Sequence, residues 1–101
     1  MIFLLSYNPF DEKVTAGQVD GFVRANRNVR EWYCPFIGTF YMKSSENLNT
    51  LTESFRPMFG VTPFIVTQFV PAYQGGGLAP AIWTWVNATD APVIALTGIR
   101  P

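Results

Sequence analysis

Two uncharged apolar runs constrain this chain more than any other feature. The first, Ile2-Phe3-Leu4-Leu5-Ser6-Tyr7, stops at Asn8-Pro9; the second, Phe64-Ile65-Val66-Thr67-Gln68-Phe69-Val70, lies between Pro63 and Pro71. Neither alternates strictly between apolar and polar residues. Each therefore predicts a strand buried on both faces rather than one with a wet side.

The segments between them carry their own signals. Thr15-Ala16-Gly17-Gln18 has the form of a capping box, and Ala16, Val19, Phe22 and Val23 follow at helical spacing. Arg24 and Arg27 favour a helix end near residue 27. Gly21 lowers that helix's own stability by about 1 kcal/mol relative to Ala, so the helix needs tertiary support. The aromatic stretch from Glu31 to Lys43 reads as two strands, 31–36 and 38–43, because Pro35 and Gly38 interrupt it. Ser44 or Ser45 can cap a second helix bearing Leu48, Leu51 and Phe55, which Pro57 limits and Gly60 closes. After the second apolar run, Gln74-Gly75-Gly76-Gly77 is a flexible connector. Pro80 suits the first position of a short helix, 81–87, and residues 91–97 form a last strand or an ordered tail.

The order strand, helix, strand, strand, helix, strand is the split βαβ pattern of an α+β, ferredoxin-like βαββαβ domain with an antiparallel sheet. Residues 1–87 make up that domain, and 88–101 a C-terminal tail or additional strand. Two helices cover one sheet face in this layout. The other face, apolar along the first and last core strands, is expected to meet a partner, because large exposed apolar patches mark interfaces.

Composition narrows the function. Apolar residues are 49% of the chain and charged residues 14%, about half the usual charged share, which excludes a disordered segment. Net charge is zero, so no overall field steers the protein to nucleic acid or membrane. The single cysteine, Cys34, rules out an internal disulfide and points to a reducing, cytoplasmic setting. The absence of histidine removes Ser-His-Asp and Cys-His nucleophile systems. The apolar start carries no basic flank and is far shorter than the roughly 20 residues of a membrane span, so no membrane association is expected.

Several segments in this order resemble one family: residues 1–7, Glu31-Trp32-Tyr33-Cys34-Pro35 leading to Gly38-Thr39-Phe40-Tyr41-Met42-Lys43, Leu51 through Phe55-Arg56-Pro57, Phe64-Ile65-Val66, and Leu78-Ala79-Pro80-Ala81-Ile82-Trp83-Thr84-Trp85-Val86-Asn87. Together they resemble small SinR-type proteins of phages and mobile elements, relatives of VapD-like toxins and of the dimeric scaffold subunit of the CRISPR adaptation complex. The resemblance spans residues 1 to about 87 and rests on pattern and order. It implies a ferredoxin-like homodimer whose sheets pack together. Nucleolytic members of the family hold a metal between two aspartates, one from the end of each first strand. Asn8 stands at that position here, and a neutral amide is a poor ligand for Mg²⁺. Asp11 and Glu12 are the nearest carboxylates that could replace it.

Other candidates each carry two readings. Asn8 also suits a plain turn before Pro9. Arg24, Arg27 and Arg30, the first two on one helix face, could grip phosphates with Lys43, or could simply complement the helix end. Gly75-Gly76-Gly77 lacks the Gly-Lys-Ser/Thr ending of a phosphate loop and reads as a hinge. Trp32, Tyr33, Phe36, Phe40 and Tyr41 could stack bases or fill a core and dimer interface, and Phe69 is a further interface candidate. Trp83 and Trp85 fall on different sides of a short helix, one toward its own domain and one toward a neighbour. Cys34 reads as a small buried hydrophobe.

The leading expectation is a non-enzymatic homodimer of phage or mobile-element type that binds a host or phage protein, or a nucleic-acid machine, without a cofactor. A metal-dependent nuclease using Mg²⁺ is one alternative, and a structural subunit without ligand another.

Overall fold

The computed structural model describes residues 1–69, 75–88 and 98–99. Their elements run β1 (Ile2–Tyr7), α1 (Ala16–Ala25), β2 (Glu31–Phe36), β3 (Thr39–Lys43), α2 (Leu48–Phe59), β4 (Phe64–Phe69), α3 (Pro80–Asn87) and β5 (Gly98–Ile99). The strands form one antiparallel sheet in the order β4-β1-β3-β2-β5. The first four strands have the ferredoxin-like arrangement expected from the sequence. The register breaks between Tyr33 and Phe36, where Pro35 cannot donate to the ladder.

The helices start and stop for local reasons. Thr15 Oγ1 accepts the Gln18 N–H at 3.2 Å, and Gln18 Oε1 accepts the Thr15 N–H at 2.9 Å, which completes the expected capping box. Helix α1 ends at Ala25, earlier than the arginine pattern suggested, because Asn26 leaves the helical region and caps it. Arg27 therefore lies in the following turn and shares no helix face with Arg24. Asn47 caps α2, its Oδ1 accepting the Thr50 N–H at 2.8 Å. The Ser44 hydroxyl is spent on a turn, accepting from the Glu46 N–H. Pro57 does not end α2, which continues to Phe59. Gly60, at φ 57°, then closes it by donating to the Arg56 carbonyl at 2.8 Å.

Register sorts the sheet residues onto two faces. The first carries Phe3, Leu5, Tyr7, Trp32, Phe40 and Met42, which pack with Val19 and Val23 of α1 and Leu51, Phe55 and Phe59 of α2. That core is apolar throughout, with Phe22 against Phe55 and Phe59 stacked on Phe64 at 4.6 Å. The second face has three rows across β1, β3 and β2: Ile2, Lys43, Glu31; then Leu4, Tyr41, Tyr33; then Ser6, Thr39, Phe36, with Ile65 of β4 opposite Ser6.

The second face is not the open surface expected from the sequence. Helix α3 covers its first two rows, with Ile82, Trp85 and Val86 packed on Ile2 and Tyr41 and with Leu4 and Tyr33 alongside. The spacing i, i+3, i+4 of those three residues is what gives this eight-residue helix an apolar stripe. Strand β4 also differs from expectation. It is an edge strand, with Ile65 63% exposed and Thr67 and Gln68 exposed, so it is not buried on both faces. Residues 91–97, read as a strand or tail, lie outside the described residues. The described extra strand, β5, pairs with Glu31 and Trp32 of β2.

Candidate interaction surface

All chain segments at one end of the sheet converge, because β1 and β2 finish there while β3 and β4 begin there. The β1–α1 connection, the β2–β3 turn and the α2–β4 connection meet at this pole. The Tyr7 N–H donates to the Gly38 carbonyl at 3.0 Å and ties the β2–β3 turn to the end of β1. Gly38 is required there: its φ is 99°, and a Cβ would come within 3.1 Å of the Tyr7 carbonyl oxygen and of Pro9.

Each connection offers apolar side chains to solvent. Phe10 is 87% exposed, Ile37 67% and Val61 92%, and the uncovered third row adds Phe36 and Ile65, each 63% exposed. Five of the seven exposed large apolar side chains among the described residues therefore sit at this pole; Met1 and Leu48 are the other two. Between the β1–α1 connection and the start of β4 lies a cleft of about 390 Å³, lined by Ser6, Tyr7, Asn8, Asp11, Pro63, Phe64 and Ile65. A second cleft of about 300 Å³ separates the start of α1 from the β2–β3 hairpin, with Tyr7, Asp20, Cys34 and Ile37 in its wall. Burial, and then the Asp20 carboxylate, pushes the Cys34 thiol above its ordinary range. Burial followed by Cys34 does the same to the Tyr7 phenol. Cys34 is exposed, contrary to the buried reading, and its Sγ–H is directed at the Phe36 carbonyl oxygen at 3.3 Å.

The residues singled out from the sequence fall into three groups. Asn8 and Asp11 line the first cleft, yet both serve turns. Asn8 Oδ1 accepts the Phe10 N–H at 3.0 Å, and Asp11 Oδ1 accepts the Lys13 N–H at 2.8 Å. A single copy of the chain brings one amide and one carboxylate to this cleft, each accepting a backbone N–H of its own loop. Among the described residues, no three His, Cys, Asp or Glu side chains come together to hold a metal.

The basic candidates form no shared patch with Lys43. Arg24 pairs with Asp20 at 2.8 Å and lies over the Trp32 ring at 5.5 Å; Arg27 is exposed in the turn, and Arg30 is half-buried. Lys43 is 1% exposed, so phosphate cannot reach it. Its Nζ donates to the Ala88 carbonyl at 3.3 Å and sits 4.7 Å above the Trp85 ring. Glu31, directly opposite in the β2–β3 ladder and 2% exposed, accepts the Trp85 Nε1–H at 2.9 Å. This buried polar cluster fastens α3 to the second face.

The aromatic candidates separate as well. Trp32 and Phe40 belong to the first core, and Trp85 is fully buried under its own domain. Trp83 is half-buried against the same cluster as Trp85. Phe69 ends β4 opposite Ile2, and its side chain lies outside the described ones. Of the aromatic interface candidates, Phe36 is the one shown exposed at the pole.

Sequence reasoning missed Phe10, Ile37, Val61 and Ile65. Their one local signal was an apolar residue beside a turn former: Phe10 after Pro9, Ile37 before Gly38, Val61 after Gly60. No helix among the described residues is long and apolar enough to cross a membrane. The fold and surface define an α+β, ferredoxin-like domain with an apolar pole. Comparison with family models, curated proteins and solved structures gave no match.

Proposed function

We propose that this chain is a non-enzymatic, dimeric interaction protein of the cytoplasm that docks a partner at its apolar pole. The segregation of exposed apolar side chains carries this reading. Soluble monomers rarely leave contiguous apolar surface uncovered, and such patches mark binding sites. Here α3 covers two rows of the second face and leaves the third row open beside three apolar connections. The resemblance to SinR-type proteins adds a setting, a phage or mobile element, in which the partner is a host or phage protein.

The dimer surface differs from the face-to-face packing that the resemblance implies, because α3 occupies much of that face. Strand β4 is the better candidate. It is an uncharged edge of β-branched and aromatic residues without the lysines, prolines or bulges that normally blunt an edge. A two-fold axis near Val66 would pair β4 with itself and bring no like charges together. Sedimentation velocity tests this part. The wild type should run as a dimer at micromolar concentration, and Thr67→Lys, which sets two ammonium groups near the axis, should run as a monomer. A monomeric wild type at 100-fold higher loading would remove the dimer from the reading.

Docking is tested by selecting displayed random peptides on the immobilised protein. Peptides retained by the wild type and lost by the combined Phe10→Ser, Ile37→Ser, Val61→Ser variant support the pole. An empty selection, or equal retention by both proteins, contradicts it.

A further inference from the structure

The pole also carries information about what docks there. Its larger cleft is walled mainly by neutral groups, and Asp11 is its one carboxylate. Asp11 Oδ1 already accepts one backbone N–H, but a carboxylate has about four acceptor sites, so most of its capacity remains. Glu12 is exposed next to it, and Lys13 offsets one of these two charges. Phe10 precedes the carboxylates directly, so apolar surface and negative charge share one loop.

Charge decides among the possible occupants. Nucleic acid would bring phosphates against Asp11 and Glu12, while Arg24 in the last turn of α1 and Arg27 and Arg30 between α1 and β2 lie toward the opposite end of the sheet. An anionic membrane surface meets the same repulsion. A second copy docking pole to pole across a two-fold axis would place each acidic loop against its equivalent. A protein segment with apolar and basic side chains is attracted to Asp11 and Glu12; Arg56, whose guanidinium lies 5.9 Å over the Phe64 wall, is paired with Glu53 at 2.8 Å and adds no net charge there. An arginine or lysine also matches the cleft's two parts, with its alkyl stem on the apolar wall and its cation on the carboxylate.

We infer that the cleft beside Asp11 is a socket for an arginine or lysine side chain of an apolar partner segment. This rests on the pole being a docking surface and adds the chemistry of the partner. The carboxylate confers selectivity, and the exposed Phe10, Ile37 and Val61 confer contact area.

Fluorescence anisotropy with three labelled peptides tests it: Gly-Ile-Arg-Val-Arg-Ile-Gly, the same peptide with glutamate for arginine, and the same with glutamine. The arginine peptide should bind the wild type at least tenfold more tightly than the glutamate peptide. Asp11→Asn keeps the loop's hydrogen bond to Lys13 and removes the charge; it should weaken the arginine peptide about tenfold. Asp11→Arg should reverse the preference toward glutamate. If the glutamine peptide binds as well as the arginine peptide and Asp11→Asn changes nothing, the basic socket is wrong while the apolar pole stands. If no peptide binds, or binding survives the Phe10, Ile37, Val61 triple substitution, both readings fall. Tighter binding of duplex DNA or of phosphatidylserine vesicles, lost in the same triple variant, would overturn the choice of a protein segment.

Discussion

The two ends of the second sheet face invite comparison, because one chain treats them in opposite ways. At the end bearing Ile2, Glu31 and Lys43, a helix from far along the sequence closes the surface and buries two charged side chains against an indole. At the other end, Phe36 and Ile65 remain 63% exposed with Phe10, Ile37 and Val61 beside them. The fold thus has a covering element and uses it on only two of the three rows of the face. Buried ionic groups are costly to desolvate and hold the cover in one register, whereas exposed apolar groups give up burial energy and stay available. The covered end is built for structure, and the open end is the one proposed above for contact.

Substitutions at the covered end should be the most damaging. Trp85→Ala leaves a large cavity and removes one hydrogen bond to Glu31, and should cost about 3–5 kcal/mol in urea unfolding. A loss below about 1 kcal/mol would mean that α3 is not docked in solution. Lys43→Ala removes a buried cation that donates to the Ala88 carbonyl and lies over the Trp85 ring, and should cost about 3 kcal/mol, whereas Arg24→Ala at an exposed pair should cost under about 1 kcal/mol. Equal effects of the two would remove the distinction between buried and surface cations.

Gly38→Val attacks the join between the pole and the sheet. Its φ of 99° and the close approach to Tyr7 and Pro9 predict a loss of about 1–3 kcal/mol, read by the same unfolding experiment. By contrast, Phe10→Ser, Ile37→Ser and Val61→Ser should each stay within about 0.5 kcal/mol of wild type while removing peptide binding. A large stability loss in any of them would make that side chain part of the core.

The smallest effect is in pH. The raised Tyr7, Cys34 and Tyr41 groups keep their protons in the folded state at pH values where the unfolded chain releases them. Stability from this source is complete below the ordinary thiol value of 9.0 and declines above it, continuing past the phenol value of 10.0. In keeping with this, Cys34 should alkylate more slowly at pH 8 than a free thiol despite its exposure, and Asp20→Asn should speed it. An unchanged rate in that variant would remove the Asp20 influence.

Local chemistry was legible in the sequence where one segment sufficed to state it. The Thr15–Gln18 capping box, the β1 run and the Gly60 closure all appear where the residues indicated. Lys43 and Glu31 could not be read as buried, because their cover comes from Trp85 and Ala88, more than 40 residues away. Strand β4 looked doubly buried because its apolar content does not say which strand stands at the edge. The pole was hidden for a similar reason: Phe10, Ile37 and Val61 are isolated in sequence and adjoin only once the sheet brings three connections to one end. Phosphate binding by Lys43 was plausible from its strand alone and fails on tertiary burial.

The most direct test of the account is a backbone amide NMR titration with the arginine peptide. The account predicts shift changes confined to residues 8–13, 36–39 and 60–65, with Glu31, Lys43 and the amides of α3 unmoved. Changes centred on the α3-covered rows, or dispersed over the sheet without a focus at the pole, would contradict it.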